Sequence, residues 1–119
     1  MLKPKPILAV KFFMTAAGKE PAREFLQKLT QEERKIIGTD IKEVQFGWPL
    51  GMPLVSKMEP DLWEVRSSLD DRIVRSLFTL VGSEMVLLHI FIKKSQQTPK
   101  GELETARKRL KELRGGSNG

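Results

Sequence analysis

Residues 62–94, LWEVRSSLDDRIVRSLFTLVGSEMVLLHIFIKK, decide the fold because short turns separate runs of strand-forming side chains. With a run just before them, they predict four strands, at 54–58, 62–68, 72–81 and 84–94. The turns between these strands are two or three residues long, at 59–61, 70–71 and 82–83. Connections this short force neighbouring strands to be antiparallel.

The segment before these strands predicts a further strand and two helices. Residues 7–14, ILAVKFFM, are strand-like, and Lys11 interrupts the apolar run that a signal peptide would need. Pro21 suits the first position of a helix, whose apolar stripe follows at Ala22, Phe25, Leu26 and Leu29. Thr30 with Glu33 is a capping box that begins a second helix. Residues 47–53, rich in glycine and proline, form a loop.

A last helix is predicted over 100–114, with Thr98 as N-cap and Pro99 at its first position. The order is therefore β-α-α-β-β-β-β-α. It describes a single α+β domain over residues 1–114, in which an antiparallel sheet packs against an N-terminal helical hairpin with a C-terminal helix, and a flexible tail at 115–119.

Composition limits the partners of the protein. The 119 residues carry a net charge of +6 with a pI near 9.8, which favours an anionic partner such as nucleic acid, an acidic protein or a membrane surface. The chain has no cysteine, which excludes disulfides and thiolate metal sites and suits a cytoplasmic protein. No apolar run reaches the roughly 18 residues that span a bilayer, so no membrane-spanning segment is expected. Among the anionic partners, nucleic acid is predicted and a membrane is not.

Several cations lie where a sheet scaffold would hold them. Alternation places Arg75 among apolar side chains, so it must reach water, an anionic ligand or a carboxylate such as Glu64 or Asp70. Residues 62, 64, 66 and 68 form a largely polar set that suits an open face of the sheet. Lys93 and Lys94 end a strand that is apolar on both faces. They either serve a site at that strand end or merely keep a hydrophobic strand soluble.

These runs resemble the RelE/ParE toxin superfamily, and within it the HigB-like branch of phage-related type II toxins. The resemblance rests on Leu62-Trp63-Glu64-Val65-Arg66, Arg75-Ser76-Leu77-Phe78, Leu87-Leu88-His89, Phe91, Lys93-Lys94, Thr98-Pro99, and Ala106 with Arg109. It implies a toxin paired with an antitoxin, often a helix-turn-helix protein, that cuts mRNA on the ribosome. It also implies candidate catalytic residues at Arg66, Arg75, Lys93 and Lys94. The alternatives are a ParE-like inhibitor of DNA gyrase and a non-catalytic nucleic-acid-binding module.

The residue types favour a metal-independent endoribonuclease without a cofactor. Arginine and lysine stabilise a pentavalent phosphate transition state, and no paired carboxylates at a strand end suggest a metal site. The chain has no tyrosine, and Phe78 stands where many relatives have one. Further RNA-binding candidates are Lys57, Arg72, Thr98 and Lys100. His89 is predicted to be a buried, hydrogen-bonded residue rather than the general base, and Trp63 to belong to the core.

The basic residues of the last helix allow three interpretations. They are Arg107, Lys108, Arg109, Lys111 and Arg114. They form an RNA-contacting face, a solvated surface, or an element that the antitoxin covers.

Overall fold

The structure, a computed structural model, describes residues 5–93 and 99–115. It has the predicted α+β architecture. Its elements, in chain order, are β1 (Ala9–Phe12), α1 (Pro21–Gln27), α2 (Gln31–Gly47), β2 (Val55–Glu59), β3 (Leu62–Ser68), β4 (Ile73–Val81), β5 (Glu84–Lys93) and α3 (Lys100–Gly115). No helix in this part of the chain combines the length and the apolar character needed to cross a membrane.

The helical hairpin forms as its capping signals predict. Pro21 occupies the first turn of α1, where its missing N–H has no intrahelical partner. At the start of α2 the Thr30 hydroxyl accepts a 3.1 Å hydrogen bond from the Glu33 backbone N–H, and the Glu33 carboxylate accepts one of 3.0 Å from the Thr30 N–H. Both bonds satisfy backbone donors that the helix end leaves open. The predicted capping box is confirmed.

The sheet has five strands in the order β1-β5-β4-β3-β2. Strands β2 to β5 form the predicted antiparallel meander. At one of its turns Gly82 has a φ of +59°, a conformation that glycine adopts without steric cost. Strand β1, by contrast, pairs with β5 in parallel. Short turns determine direction only between strands that they join, and β1 reaches the meander through two helices, so the turn pattern did not determine its direction.

Two apolar cores lie on opposite faces of the sheet. The hairpin-side core packs against α1 and α2 and includes Ala22, Ile37, Val44, Val65, Val74, Phe78, Leu87 and Ile90. The α3-side core packs against α3 and includes Phe13, Leu62, Leu77, Val86, Leu88, Phe91, Ala106 and Leu110. Because helices cover both faces, the central strands β4 and β5 are buried on both sides along most of their length.

Strand β5 does not alternate regularly as the sequence pattern predicts. Leu77 pairs with His89, but the next residue, Phe78, pairs with Leu87, so Leu88 is an extra residue in a β-bulge. Leu88 lies in the α3-side core, and His89 makes its hydrogen bonds to α3. Two consecutive side chains therefore point to one face. Regular alternation of side chains between the two faces is interrupted at Leu88.

The predicted open face of β3 is largely closed. Leu62 and Glu64 are both buried, because the α3-side core covers that half of the strand. Arg66 is half-buried and Ser68 exposed, so the face opens toward the end of β3. On the other face Trp63 packs edge-on against Trp48 at 5.4 Å and stacks on Phe78 at 5.9 Å between ring centroids. This confirms Trp63 as a core residue.

Candidate nucleic-acid site

Three of the predicted catalytic cations lie on one face of three neighbouring strands. Arg66 of β3 is directly opposite Arg75 of β4. Lys93 of β5 is opposite Ile73, two residues before Arg75, and therefore lies diagonally across from Arg75 on the same face. Diagonal neighbours in a sheet are about 7–8 Å apart, within reach of long side chains. We call Arg66, Arg75 and Lys93 the cation cluster.

The bulge at Leu88 is what brings Lys93 to this face. In the regular part of the hairpin nearest the turn, Val81 pairs with Glu84 and Thr79 with Val86. Continued without interruption, that register would place the even-numbered residues of β5 opposite the odd-numbered residues of β4, and Lys93 would point to the hairpin side. The extra residue shifts the register by one, so every later side chain changes its partner. Lys93 consequently shares a face with Arg75.

Two cations of the cluster are buried together with one carboxylate. The exposed fractions are 2% for Glu64, 4% for Arg75 and 6% for Lys93. The Arg75 guanidinium donates a hydrogen bond through Nη1 to Oε1 of Glu64. The sequence suggested Glu64 or Asp70 as a carboxylate partner of Arg75, and in the fold Glu64 takes this role. Such charges are costly to bury unless they are paired or bind a ligand.

One carboxylate faces three cations in this cluster. Burial lowers the pKa of Lys93, the neighbouring Arg75 charge lowers it further, and the Glu64 carboxylate acts in the opposite direction. Within the described residues, the Lys93 ammonium and the Arg66 guanidinium have no hydrogen-bond acceptor or ion-pair partner. Cations that are removed from water and have unused hydrogen-bond donors are suited to bind an anion. The two parallel N–H groups of a guanidinium match two oxygens of a phosphate.

A groove gives access to the cluster from one side. It measures about 530 Å³ and lies at the β3–β4 turn, where Lys93 forms part of its wall. Its other lining residues are Ser68, Leu69, Asp70, Asp71, Arg72 and Ile73. A ligand in this groove would therefore meet the Lys93 ammonium and polar groups of the turn.

The remaining predicted site residues do not join the cluster. Arg72 makes an ion pair with Glu33 at the start of α2, although its side chain also borders the groove. Lys57 lies over the Trp63 ring at 5.9 Å, on the hairpin face of the sheet. Lys100 is the exposed first residue of α3. Lys94 and Thr98 lie outside the described residues.

His89 is a link between the sheet and α3. Its Nε2 lies 3.0 Å from Oε1 of Glu102, and Nη1 of Arg109 lies 3.2 Å from its Nδ1. A guanidinium only donates, so Nδ1 accepts and Nε2 carries the proton that is donated to Glu102. The ring also stacks on Phe91. The predicted hydrogen-bonded role is confirmed, and the ring is partly rather than fully buried.

The basic residues of α3 are partly engaged within the fold. Arg107 forms two bonds of 2.7–2.8 Å with the Glu59 carboxylate, and Arg114 pairs with Asp61 at 2.9 Å. The hydrogen bond from Arg107 lowers the pKa of Glu59. Together with Arg109, these arginines fasten α3 to the sheet. This structural role was not among the interpretations of the helix offered by its sequence.

Two site features escaped the sequence reasoning. Glu64 was considered as a partner for Arg75, but its near-complete burial was not expected, because it was assigned to an open face. The bulge at Leu88 lies in a run of apolar residues, 85–88, without a glycine or other turn residue that could have revealed it. Phe78 belongs to the hairpin-side core, on the opposite face from the cluster. Within the described residues no group of three or more metal-ligating side chains occurs.

Residues 24–111 match the family described as Phage derived protein Gp49-like (DUF891). The matched region begins inside α1 and ends inside α3, so it includes every residue of the cation cluster. No curated protein matches the chain.

Proposed function

The chain belongs to the Gp49-like family, a family of RelE-like toxins associated with toxin–antitoxin systems, and from this premise we propose that it is a ribosome-dependent mRNA endoribonuclease. We further propose that it belongs to the HigB-like branch, which its sequence motifs resemble. The observation that carries the proposal is the cation cluster: three cations on neighbouring strands, two of them buried, against one carboxylate.

The chemistry follows from what these side chains supply. Cleavage by the 2′-OH of RNA requires removal of the hydroxyl proton, stabilisation of the pentavalent phosphate, and protonation of the 5′-oxygen. Arg66 and Arg75 hold the phosphate oxygens as charge builds on them. Lys93, whose pKa is lowered, exchanges a proton more readily near neutral pH than an ordinary lysine does.

The cluster supports charge stabilisation better than it supports orientation of the RNA. No strong base lies in it, and His89 is engaged with Glu102 and Arg109. Holding the 2′-OH in line with the phosphate is worth about 7–11 kcal/mol. The ribosome supplies this orientation when it fixes the mRNA in its decoding site. In this scheme the protein acts in the cytoplasm, and it is restrained by an antitoxin of the helix-turn-helix class that the family resemblance implies.

A paired time course tests this function. One message is incubated with the purified protein either free or in a programmed ribosome, without divalent metal beyond what ribosomes need. We expect cleavage within minutes on the ribosome and little on free RNA. Equal rates on both substrates contradict ribosome dependence. No cleavage on either contradicts the endoribonuclease, and inhibition of DNA supercoiling would then identify a gyrase inhibitor.

The matched variants are Lys93→Met and Lys42→Met. Both remove one positive charge, but Lys42 is an exposed residue of α2, outside the cluster. We expect Lys42→Met to cut like the wild type and Lys93→Met to lose about 10²–10³ in rate, the usual effect of removing one group that stabilises a developing oxyanion.

A further inference from the structure

Glu64 is an unexpected residue to find beside a phosphate site. It is 2% exposed and on the same face as the three cations. Its negative charge repels the RNA phosphate and so opposes binding. A carboxylate that merely balanced charge could lie at the surface, where its desolvation would be small. The position of Glu64 therefore calls for a function that depends on contact with Arg75.

Its contact with Arg75 constrains the guanidinium. Glu64 is opposite Leu77 and thus lies diagonally from Arg75 on the neighbouring strand. The guanidinium is planar and rigid, so fixing Nη1 on the Glu64 carboxylate also determines where its remaining donors point. Arg75 lies on the strand between those of Arg66 and Lys93, and its orientation decides whether the three cations converge.

Glu64 also lies deeper in the fold than the cations that would touch RNA. Its strand neighbour two positions back, Leu62, and its cross-strand partner Leu77 are both fully buried in the α3-side core. Arg66 and Lys93 lie toward the other end of the strands, beside the more open end of β3 and the groove. The carboxylate therefore stands behind Arg75 as seen from the groove.

We infer that Glu64 is a positioning residue: it acts through Arg75, holding the guanidinium toward Arg66 and Lys93 so that the three cations share one phosphate. This role rests on the proposed function. It predicts that losing the carboxylate lowers kcat more than it changes KM, because the protein still binds the ribosome but presents Arg75 in the wrong direction.

Glu64→Gln is the decisive variant, with Glu64→Asp and Glu59→Gln as comparisons. We expect Glu64→Gln to lower kcat on programmed ribosomes by about 10²-fold, the scale of a displacement of about 1 Å in a reacting group. Glu64→Asp retains the charge at a shorter reach and restores part of the rate. Glu59→Gln removes a carboxylate from an arginine pair outside the cluster and leaves kcat unchanged.

A pH profile separates positioning from a general loss of packing. The Glu64 charge raises the pKa of Lys93, so its removal lowers that pKa. The limb of the kcat profile that reports Lys93 should move to lower pH in Glu64→Gln and stay in place in Glu59→Gln. An unshifted limb together with an unchanged kcat would overturn the role of Glu64.

Two NMR measurements on the free protein keep this inference separate from the proposed function. Titration of the Lys93 side chain should show a lower pKa in Glu64→Gln, whether or not the protein cuts RNA. In the wild type, rotation of the Arg75 guanidinium about its Nε–Cζ bond should be slow. Fast rotation, which needs no variant to detect, would overturn the inference. Absence of ribosomal cleavage with slow rotation would contradict the endoribonuclease alone.

Discussion

Lys93 is the residue at which stability and the proposed activity conflict. It is 6% exposed, and both burial and the Arg75 charge disfavour its protonated form. Functional sites commonly retain such unfavourable charges, because binding and catalysis need them where folding does not. Arg66 and Arg72 show the same contrast between a charge kept for function and one that stabilises the fold. Arg66 has no carboxylate partner within the described chain, whereas Arg72 is paired with Glu33.

Replacing Lys93 by methionine should therefore stabilise the protein while it slows cleavage. The apolar side chain removes a desolvated charge and its repulsion by Arg75. We expect a higher Tm at neutral pH in thermal unfolding followed by circular dichroism, with cleavage on programmed ribosomes slowed by about 10²–10³-fold. A lower Tm would show that the Lys93 charge contributes net stability.

The difference in Tm between Lys93→Met and the wild type should also depend on pH. In the folded protein the pKa of Lys93 lies below its usual value near 10.5. At a pH between these two pKa values, the unfolded chain therefore binds more protons at this residue than the folded chain does. The wild type accordingly gains stability as pH rises through the folded pKa, and Lys93→Met has no such gain. The difference should narrow toward high pH. A constant difference up to pH 10.5 would contradict the lowered pKa.

Arg66→Ala and Arg72→Ala should have opposite effects. Arg66→Ala removes a cation of the cluster, and we expect about 10²-fold slower cleavage with little change in Tm. Arg72→Ala breaks the pair with Glu33, and we expect it to lower the free energy of unfolding by up to about 1 kcal/mol while cleavage persists. The rate of cleavage on programmed ribosomes and the free energy of unfolding in urea, measured for both variants, check this prediction. Slower cleavage in both would extend the site to Arg72.

At the scale of elements, α3 is attached to the sheet by polar contacts as well as by its apolar stripe. His89 and Arg109 join it to β5. Arg107 joins it to the last residue of β2, Glu59, and Arg114 joins it to Asp61 in the turn that follows. Apolar packing alone allows a helix to slide along a sheet, whereas hydrogen bonds at both ends define one register.

His89→Gln tests the attachment at β5. Glutamine keeps a polar group but does not reproduce both ring contacts, so we expect the free energy of unfolding to fall by about 1–2 kcal/mol. Cleavage should persist at least in part, because His89 touches none of the three cations of the cluster in any described contact. A stable His89→Gln protein without cleavage would instead make His89 the general base.

The elements show which signals a sequence carries and which it does not. Pro21, the Thr30–Glu33 box and the Gly82 turn act through their nearest neighbours, and each produced the element it predicted. The bulge at Leu88 and the parallel pairing of β1 depend on the partner strand. No local pattern reports them. The same holds for the candidate site. That Arg66 and Arg75 share a face follows only once the register of their strands is known, and the burial of Glu64 depends on the position of α3.

At the scale of the whole molecule, α3 is part of the fold rather than an appendage. It covers the α3-side core, which includes Leu62, Leu77 and Phe91. Without this helix the sheet would expose a continuous apolar face, and exposed faces of this kind promote association and loosen packing.

A chain ending at residue 98 should therefore fail to unfold cooperatively. We expect it to bind the dye ANS and to lose its near-UV circular dichroism, as compact chains without fixed packing do. A chain ending at residue 115 keeps all of α3 and serves as the control. A cooperative transition in the shorter chain would show that the hairpin-side core suffices.

The Leu88 bulge has a consequence for how such sequences diverge. Loss of Leu88 itself would leave Leu77 opposite His89 and Phe78 opposite Leu87, so both halves of the hairpin would keep their partners. Loss of one residue between positions 89 and 92 would instead turn Lys93 to the other face, away from Arg75, as long as the bulge stays at Leu88. In surviving descendants of this gene, single-codon deletions in β5 should therefore be found at the bulge, and selection should remove them beyond it.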